Sequence, residues 1–140
     1  MNIVNMEVTK RVEFECCYLY NKQIEAHNCK LEVTVEGPQR FNDFGRVISY
    51  EDLTRYMKYV VPDKTFLYSS DDYDGNHVAI ALLDVGCRTG EYEFPISAEN
   101  LCKHFADTLQ DLLDKKEPGL RIIDLKLRED NNSYVSWKRA

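Results

Sequence analysis

Glu25, His27 and Cys29 recur at two-residue spacing, which places them on one face of a strand. Cys16 and Tyr18 fall on the apolar face of the strand before it. Sulfur, imidazole and carboxylate donors on adjacent strands are the raw material of a metal centre, because directly opposite residues stand about 5 Å apart and one ion can reach across. A register that brings Tyr18 beside Glu25 carries Cys29 toward the middle of its strand, so at most three of Cys16, Glu25, His27 and Cys29 converge. The alternative is a rim where these side chains meet water or a neighbouring subunit, with His27 no more than a hydrogen-bonding residue. Glu129 ends the otherwise apolar face of a third strand, where a carboxylate needs a partner to offset its desolvation. The cysteines, Cys16, Cys17, Cys29, Cys87 and Cys102, are odd in number and form no C-x-x-C pair. Reduced thiols buried as small apolar groups are expected rather than a disulfide framework.

The elements that must position these groups are legible as periodicities. Val8, Val12, Phe14, Cys16, Tyr18 and Tyr20 alternate with Arg11, Glu13 and Glu15, and a second alternation runs from Glu25 to Glu36 before Gly37-Pro38. Joined by the polar Asn21–Gln23 segment, the two pair as a long antiparallel ribbon. Ser49-x-x-Asp52 opens a helix with Leu53, Tyr56, Met57 and Val60 at helical spacing, stopped at Pro62. Ser97 caps a second helix whose stripe is Leu101, Phe105, Leu109 and Leu112, closed by Pro118-Gly119. Between them, His77 to Leu83 and Glu91 to Phe94, with turn signals at Asp74-Gly75-Asn76 and Thr89-Gly90, predict an inserted β-hairpin at about 74–94. Ile123, Leu125, Leu127 and Glu129 share a strand face, and after Asp130-Asn131-Asn132 the chain returns through Tyr134 to Trp137. The expectation is an α+β fold: a four-stranded antiparallel sheet with two helices on one face and an inserted hairpin. Its long terminal strands would leave open edges suited to oligomerisation.

The 140 residues suit one domain, 1–140, and carry 18 basic and 24 acidic side chains, a net charge of −6. No basic face is concentrated enough for nucleic acid or an anionic membrane. The apolar stretches are strand-sized and the first ten residues lack a secretory pattern, so a cytoplasmic protein is expected.

The chain resembles the tunnelling-fold family of 6-pyruvoyltetrahydropterin and 6-carboxytetrahydropterin synthases. Phe14-Glu15-Cys16-Cys17-Tyr18 resembles the family's F-x-A-x-H strand, and Glu25 to Gly37 resembles its H-G-H-N-Y-x-V-x-V-x-V-x-G strand. Gly45 to Leu53 is similar to the G-M-V-x-D-F-x-D-L helix entry, and Pro62-Asp63-Lys64 falls at L-D-H. Pro95-Ile96-Ser97-Ala98-Glu99-Asn100-Leu101 falls at P-T-A/S-E-N-L, and Glu129-Asp130-Asn131-Asn132 at E-T-x-x-N. Where the family holds a catalytic zinc with three histidines, this chain has Tyr18, Glu25 and His27. The catalytic cysteine position is Asn21 and the catalytic histidine position is Lys64, while Asp63 and Glu129 are kept.

The resemblance implies that Glu129 anchors a pterin-like or purine-like heterocycle, with Ser97 and the backbone at Ile96 closing on it across a subunit interface of a trimer or hexamer. One imidazole with one carboxylate falls short of a catalytic zinc site, so no cofactor is expected, with zinc on the mixed Cys16, Glu25, His27 and Cys29 donors as the alternative. The zinc-dependent lyase chemistry is then lost, or replaced by Lys64 beside Asp63 acting as acid, base or Schiff-base nucleophile once burial lowers the Lys64 pKa. A non-catalytic binding or regulatory protein on the same oligomeric scaffold is the second reading. In a third, Glu129 is structural and held by the Asn131-Asn132 turn.

Overall fold

A computed structural model describes residues 3–140. The elements are β1 (Asn5–Tyr20), β2 (Gln23–Pro38), a 3-10 turn (Phe41–Asp43), α1 (Tyr50–Val60), β3 (Thr65–Ser69) and α2 (Tyr73–Asp84). There follow β4 (Arg88–Tyr92), α3 (Ala98–Lys116), β5 (Arg121–Arg128) and β6 (Tyr134–Lys138). The strands form one sheet in the order β4-β3-β1-β2-β5-β6. The architecture is α+β as expected, but with six strands and three helices among the described residues rather than four and two.

The β1–β2 ribbon turns through only two residues. Asn21 and Lys22 both adopt positive φ, 50° and 63°, the conformation that a tight hairpin turn imposes and that asparagine tolerates better than most residues. This turn fixes the register, with Tyr18 opposite Glu25, Cys16 opposite His27 and Phe14 opposite Cys29. Beyond the ribbon, β2 pairs antiparallel with β5, and β5 with β6. One residue of β5 slips out of register: Thr34 faces Asp124 and Val35 faces Ile122, so Ile123 is bypassed. Strict alternation had assigned Ile123 to the core; the irregularity puts Ile122 there instead.

The inserted hairpin expected over 74–94 is corrected to a parallel strand–helix–strand unit. His77 to Leu83 lies in α2, and Thr89-Gly90, taken for a turn, lies inside β4. β3, which the sequence did not announce, pairs parallel with β1 on one side and β4 on the other. Parallel neighbours need a crossover, and α2 supplies it. Gly75, taken for a turn residue, is in the first turn of α2, where an added Cβ would stand 2.7 Å from Asp72 Oδ2 and 3.1 Å from Tyr68 Cβ. A side chain at that position would have to displace the Asp72 carboxylate and press on Tyr68 of β3.

Side-chain caps start both long helices: Ser49 Oγ accepts from the Asp52 N–H at 3.1 Å, and Ser97 Oγ from the Asn100 N–H at 3.1 Å. Each such cap is worth about 1 kcal/mol. α1 and α3 cover one face of the sheet, where Leu53, Met57, Leu101, Phe105, Leu109 and Leu113 bury against Phe14, Leu31, Val33, Leu125 and Leu127. α2 lies on the other face. Leu67, level with Tyr18, belongs to the main core, whereas its neighbour Phe66, level with Cys17, is buried apart from it, as is Ala79 of α2. The long strands are central in the order, but β3 pairs with β1 only over Cys16–Tyr18, so Asn5 to Phe14 of β1 keep an open edge. No described helix is long and apolar enough to cross a membrane.

Candidate functional site

Three chain segments meet where β1, β2 and the end of β5 come together. Glu129 follows directly on the Lys30–Arg128 pair, and the loop after it is held by Asp130, whose Oδ1 accepts from the N–H groups of Asn132 (2.7 Å) and Ser133 (2.8 Å). Glu129 takes no hydrogen bond in that turn. Its Oε2 instead accepts from the Tyr18 hydroxyl, across 111 residues of sequence. The Tyr18 and His27 rings stack with centroids 4.9 Å apart at 25°. His27 Nε2 stands 3.5 Å from Glu129 Oε2 and 4.0 Å from Glu25 Oε2, yet it is buried with no hydrogen-bond partner. Burial first, and then the bond to Glu129, push the Tyr18 pKa well above the ordinary phenol range, so Tyr18 stays neutral and donates. These groups line a cavity of about 340 Å³ that Ala98 and Glu99, at the start of α3, close from the side.

The four donors considered for a rearranged metal site divide into two pairs. Glu25 and His27 face the cavity, while Cys16 and Cys29 are buried in the core with their sulfurs 3.8 Å apart. The hydrogen bond to Cys29 and burial push the Cys16 pKa far up. At the three positions where the family resemblance implies zinc ligands, one imidazole, one carboxylate and a neutral phenol already bonded to Glu129 do not fit a zinc centre. No group of three or more His, Cys, Asp or Glu side chains among the described residues is arranged to hold a metal ion.

The other candidate residues lie elsewhere. Ser97 spends its hydroxyl on the α3 cap, and Ile96 borders a separate cavity of about 320 Å³ between Tyr18 and β3. Asp63 Oδ1 accepts from the Glu15 N–H at 2.9 Å, and the Lys64 N–H donates to the Glu15 carbonyl at 2.6 Å. The pair thus extends the β3–β1 ladder by one step, with Lys64 at φ 54°. Lys64 lines a third cavity, about 590 Å³, with Cys17, Ala26, Phe66 and Leu82. Within one chain, then, Lys64 and Glu129 do not share a cavity; His27 borders both. The sequence reading missed Tyr20 and Glu99 as lining residues of the Glu129 cavity. The strand alternation that puts Tyr20 beside Tyr18 was the available signal for the first.

A family model described as 6-pyruvoyl tetrahydropterin synthase matches residues 7–140. Among solved structures, an uncharacterized protein from Wolinella succinogenes is 12% identical over 98% of this chain and 99% of its own, with a TM-score of 0.75. A catalytic-residue mutant of 6-pyruvoyltetrahydropterin synthase from Plasmodium vivax is 13% identical, covers 97% and 98%, and has a TM-score of 0.71. The Plasmodium falciparum 6-pyruvoyl tetrahydropterin synthase is 17% identical, covers 96% and 98%, and has a TM-score of 0.66. No match arises among curated protein sequences. At these identities the solved structures speak for the fold, the α+β tunnelling fold, and the family model speaks for descent. With nearly the whole chain matched, the protein belongs to the 6-pyruvoyl tetrahydropterin synthase family.

Proposed function

We propose that the protein binds a planar, pterin-like or purine-like heterocycle in the Glu129 cavity, and that the zinc-dependent lyase chemistry of its family is lost in this chain or replaced by chemistry at Lys64 and Asp63. The observation that carries the reading is the unspent bonding capacity there. Glu129, with 19% of its side chain exposed, has Tyr18 as its one hydrogen-bond donor among the described residues, and His27 Nε2 beside it has none. Buried polar atoms without partners cost free energy unless something supplies the bond, and a ring edge with adjacent N–H groups would do so. A carboxylate is the acceptor suited to that edge, because its two oxygens lie in one plane at the spacing of two parallel N–H donors.

The test is mass spectrometry of small molecules retained by the native protein, followed by thermal unfolding with pterins, purines and deazapurines. A ligand at a hundredfold excess over its Kd stabilises by about 2.7 kcal/mol, which raises Tm by several degrees. No shift from any of the three classes overturns the reading.

A second reading, a non-catalytic binding or regulatory protein, is favoured by the Asp63 and Lys64 geometry. The Asp63 carboxylate already serves the backbone of β1, and Lys64 faces a different cavity. Chemistry at the Glu129 ligand through Lys64 would need a homotrimer or hexamer to bring the lysine in from another copy. Lys64→Ala is expected to leave ligand binding and ligand identity unchanged. A product that accumulates with the unaltered protein and disappears with Lys64→Ala restores a catalytic role.

A further inference from the structure

α2 is apolar on both of its faces. Gly75 and Ala79 are buried and Val78 and Leu82 half-buried on the side toward the sheet, while Tyr73, His77, Ile80, Ala81 and Leu83 turn outward, followed by Val85. Tyr73, Ile80, Leu83 and Val85 are each more than half exposed. Every fully exposed residue of α3, by contrast, is charged. A surface helix keeps polar residues on its outer side, and one that is apolar all round is a covered helix. The outer face of α2 therefore belongs in a contact.

The charges around that face indicate what covers it. α2 holds no lysine or arginine; Asp71, Asp72 and Asp74 gather at its N-terminal end, and Arg88 follows its C-terminal end. None of these four takes part in an ion pair among the described residues. Acid at one end and base at the other is a pattern that complements itself when two identical helices lie antiparallel, with their dipoles opposed. The spacing agrees, because Ile80 stands midway in sequence between Asp72 and Arg88. A two-fold axis at Ile80 sets Arg88 of each copy at the acidic end of the other. It also sets Leu83 against the Tyr73–His77 stack, whose ring centres lie 4.4 Å apart, and Asp84 against Asn76 rather than against another acid.

We propose that α2 is a self-association surface, on which two copies of this chain pack their α2 helices antiparallel about a two-fold axis at Ile80. The contact does not depend on what the Glu129 cavity binds. It is also separate from the open margin of β1, because α2 packs on β3 and β4. It joins in pairs either single chains or assemblies closed along that margin.

The test is the mass of the native particle by light scattering. The particle should hold an even number of chains, and Ile80→Glu, which sets two carboxylates face to face on the axis, should halve its mass. The dissociation constant should rise by at least about thirtyfold, as loss of a central anchor gives. Ile80 is exposed in the single chain, so this variant keeps the fold, which circular dichroism checks. Arg88→Glu should weaken the same association, and adding Asp74→Arg should restore it. In a Cys87→Ser background, Ile80→Cys should give a disulfide-linked dimer with copper phenanthroline, whereas Tyr59→Cys, exposed on α1, should not. Equal cross-linking at the two positions overturns the inference. An odd number of chains, or a mass that Ile80→Glu leaves unchanged, overturns it as well and assigns the face to a different protein.

Discussion

Glutamine in place of Glu129 is expected to lower the affinity for a bicyclic heterocycle roughly a hundredfold or more, with the free protein's Tm almost unmoved. The shape is kept, and the Tyr18 hydroxyl still finds an oxygen to donate to. What disappears is the charge and the second acceptor: the amide presents its own N–H₂ to a ring edge that also offers donors. Replacing one charge-assisted hydrogen bond by a neutral one and turning the other into a donor–donor clash removes about 3 kcal/mol, on the scale of 1.5–3 kcal/mol for each bond to a charged group. Titration calorimetry of the variant against the ligand found by mass spectrometry measures it. A loss below fivefold means that Glu129 is not the anchor.

Phe105→Ala should cost about 3–5 kcal/mol of folding free energy, the range for deleting a fully buried aromatic side chain. Phe105 is 0% exposed and stands edge-on to Phe14 of β1, ring centres 5.8 Å apart at 87°, so its loss opens a cavity at the contact between α3 and the ribbon. Urea unfolding checks the energy, and a Tm roughly 10 °C lower is the calorimetric counterpart. The damage should reach the Glu129 cavity as well, because the same helix begins at Ala98 and Glu99, which form one of its walls. A cost below about 1.5 kcal/mol would mean that α3 does not seat on β1 in this way.

The β1–β2 ribbon was legible because its alternation separates buried from exposed faces from Val12 to Tyr18 and from Cys29 to Val35, leaving a single register that buries the core. The long helices were legible because serine caps and a 3.6-residue stripe agreed. α2 was misread for a physical reason: in Val78-Ala79-Ile80-Ala81-Leu82-Leu83 no polar residue marks a period, so an apolar run serves strand and helix equally. Two tertiary facts decide it: the close seat of Gly75 on β3, and a parallel β4 that only a crossover can deliver. At the site, Tyr18, Glu25 and His27 could be set on neighbouring faces from spacing alone. The Tyr18–Glu129 bond could not, since it depends on where β5 ends relative to β1, two strands away. The separation of Lys64 from Glu129 was hidden for the same reason, because β3 and the two faces of the sheet around it had not been recognised.

The sixteen-residue strands lie in the interior of the strand order, yet β3 pairs with β1 only over Cys16–Tyr18. From Asn5 to Phe14 the outward N–H and C=O groups of β1 have no backbone partner among the described residues. Only alternate residues of an edge strand direct both groups outward, so another copy adding itself along this stretch would gain about ten backbone hydrogen bonds. The stagger between a long ribbon and its short flanking strand thus leaves a built-in splice, at which the sheet of one chain could continue into the sheet of another without either fold changing.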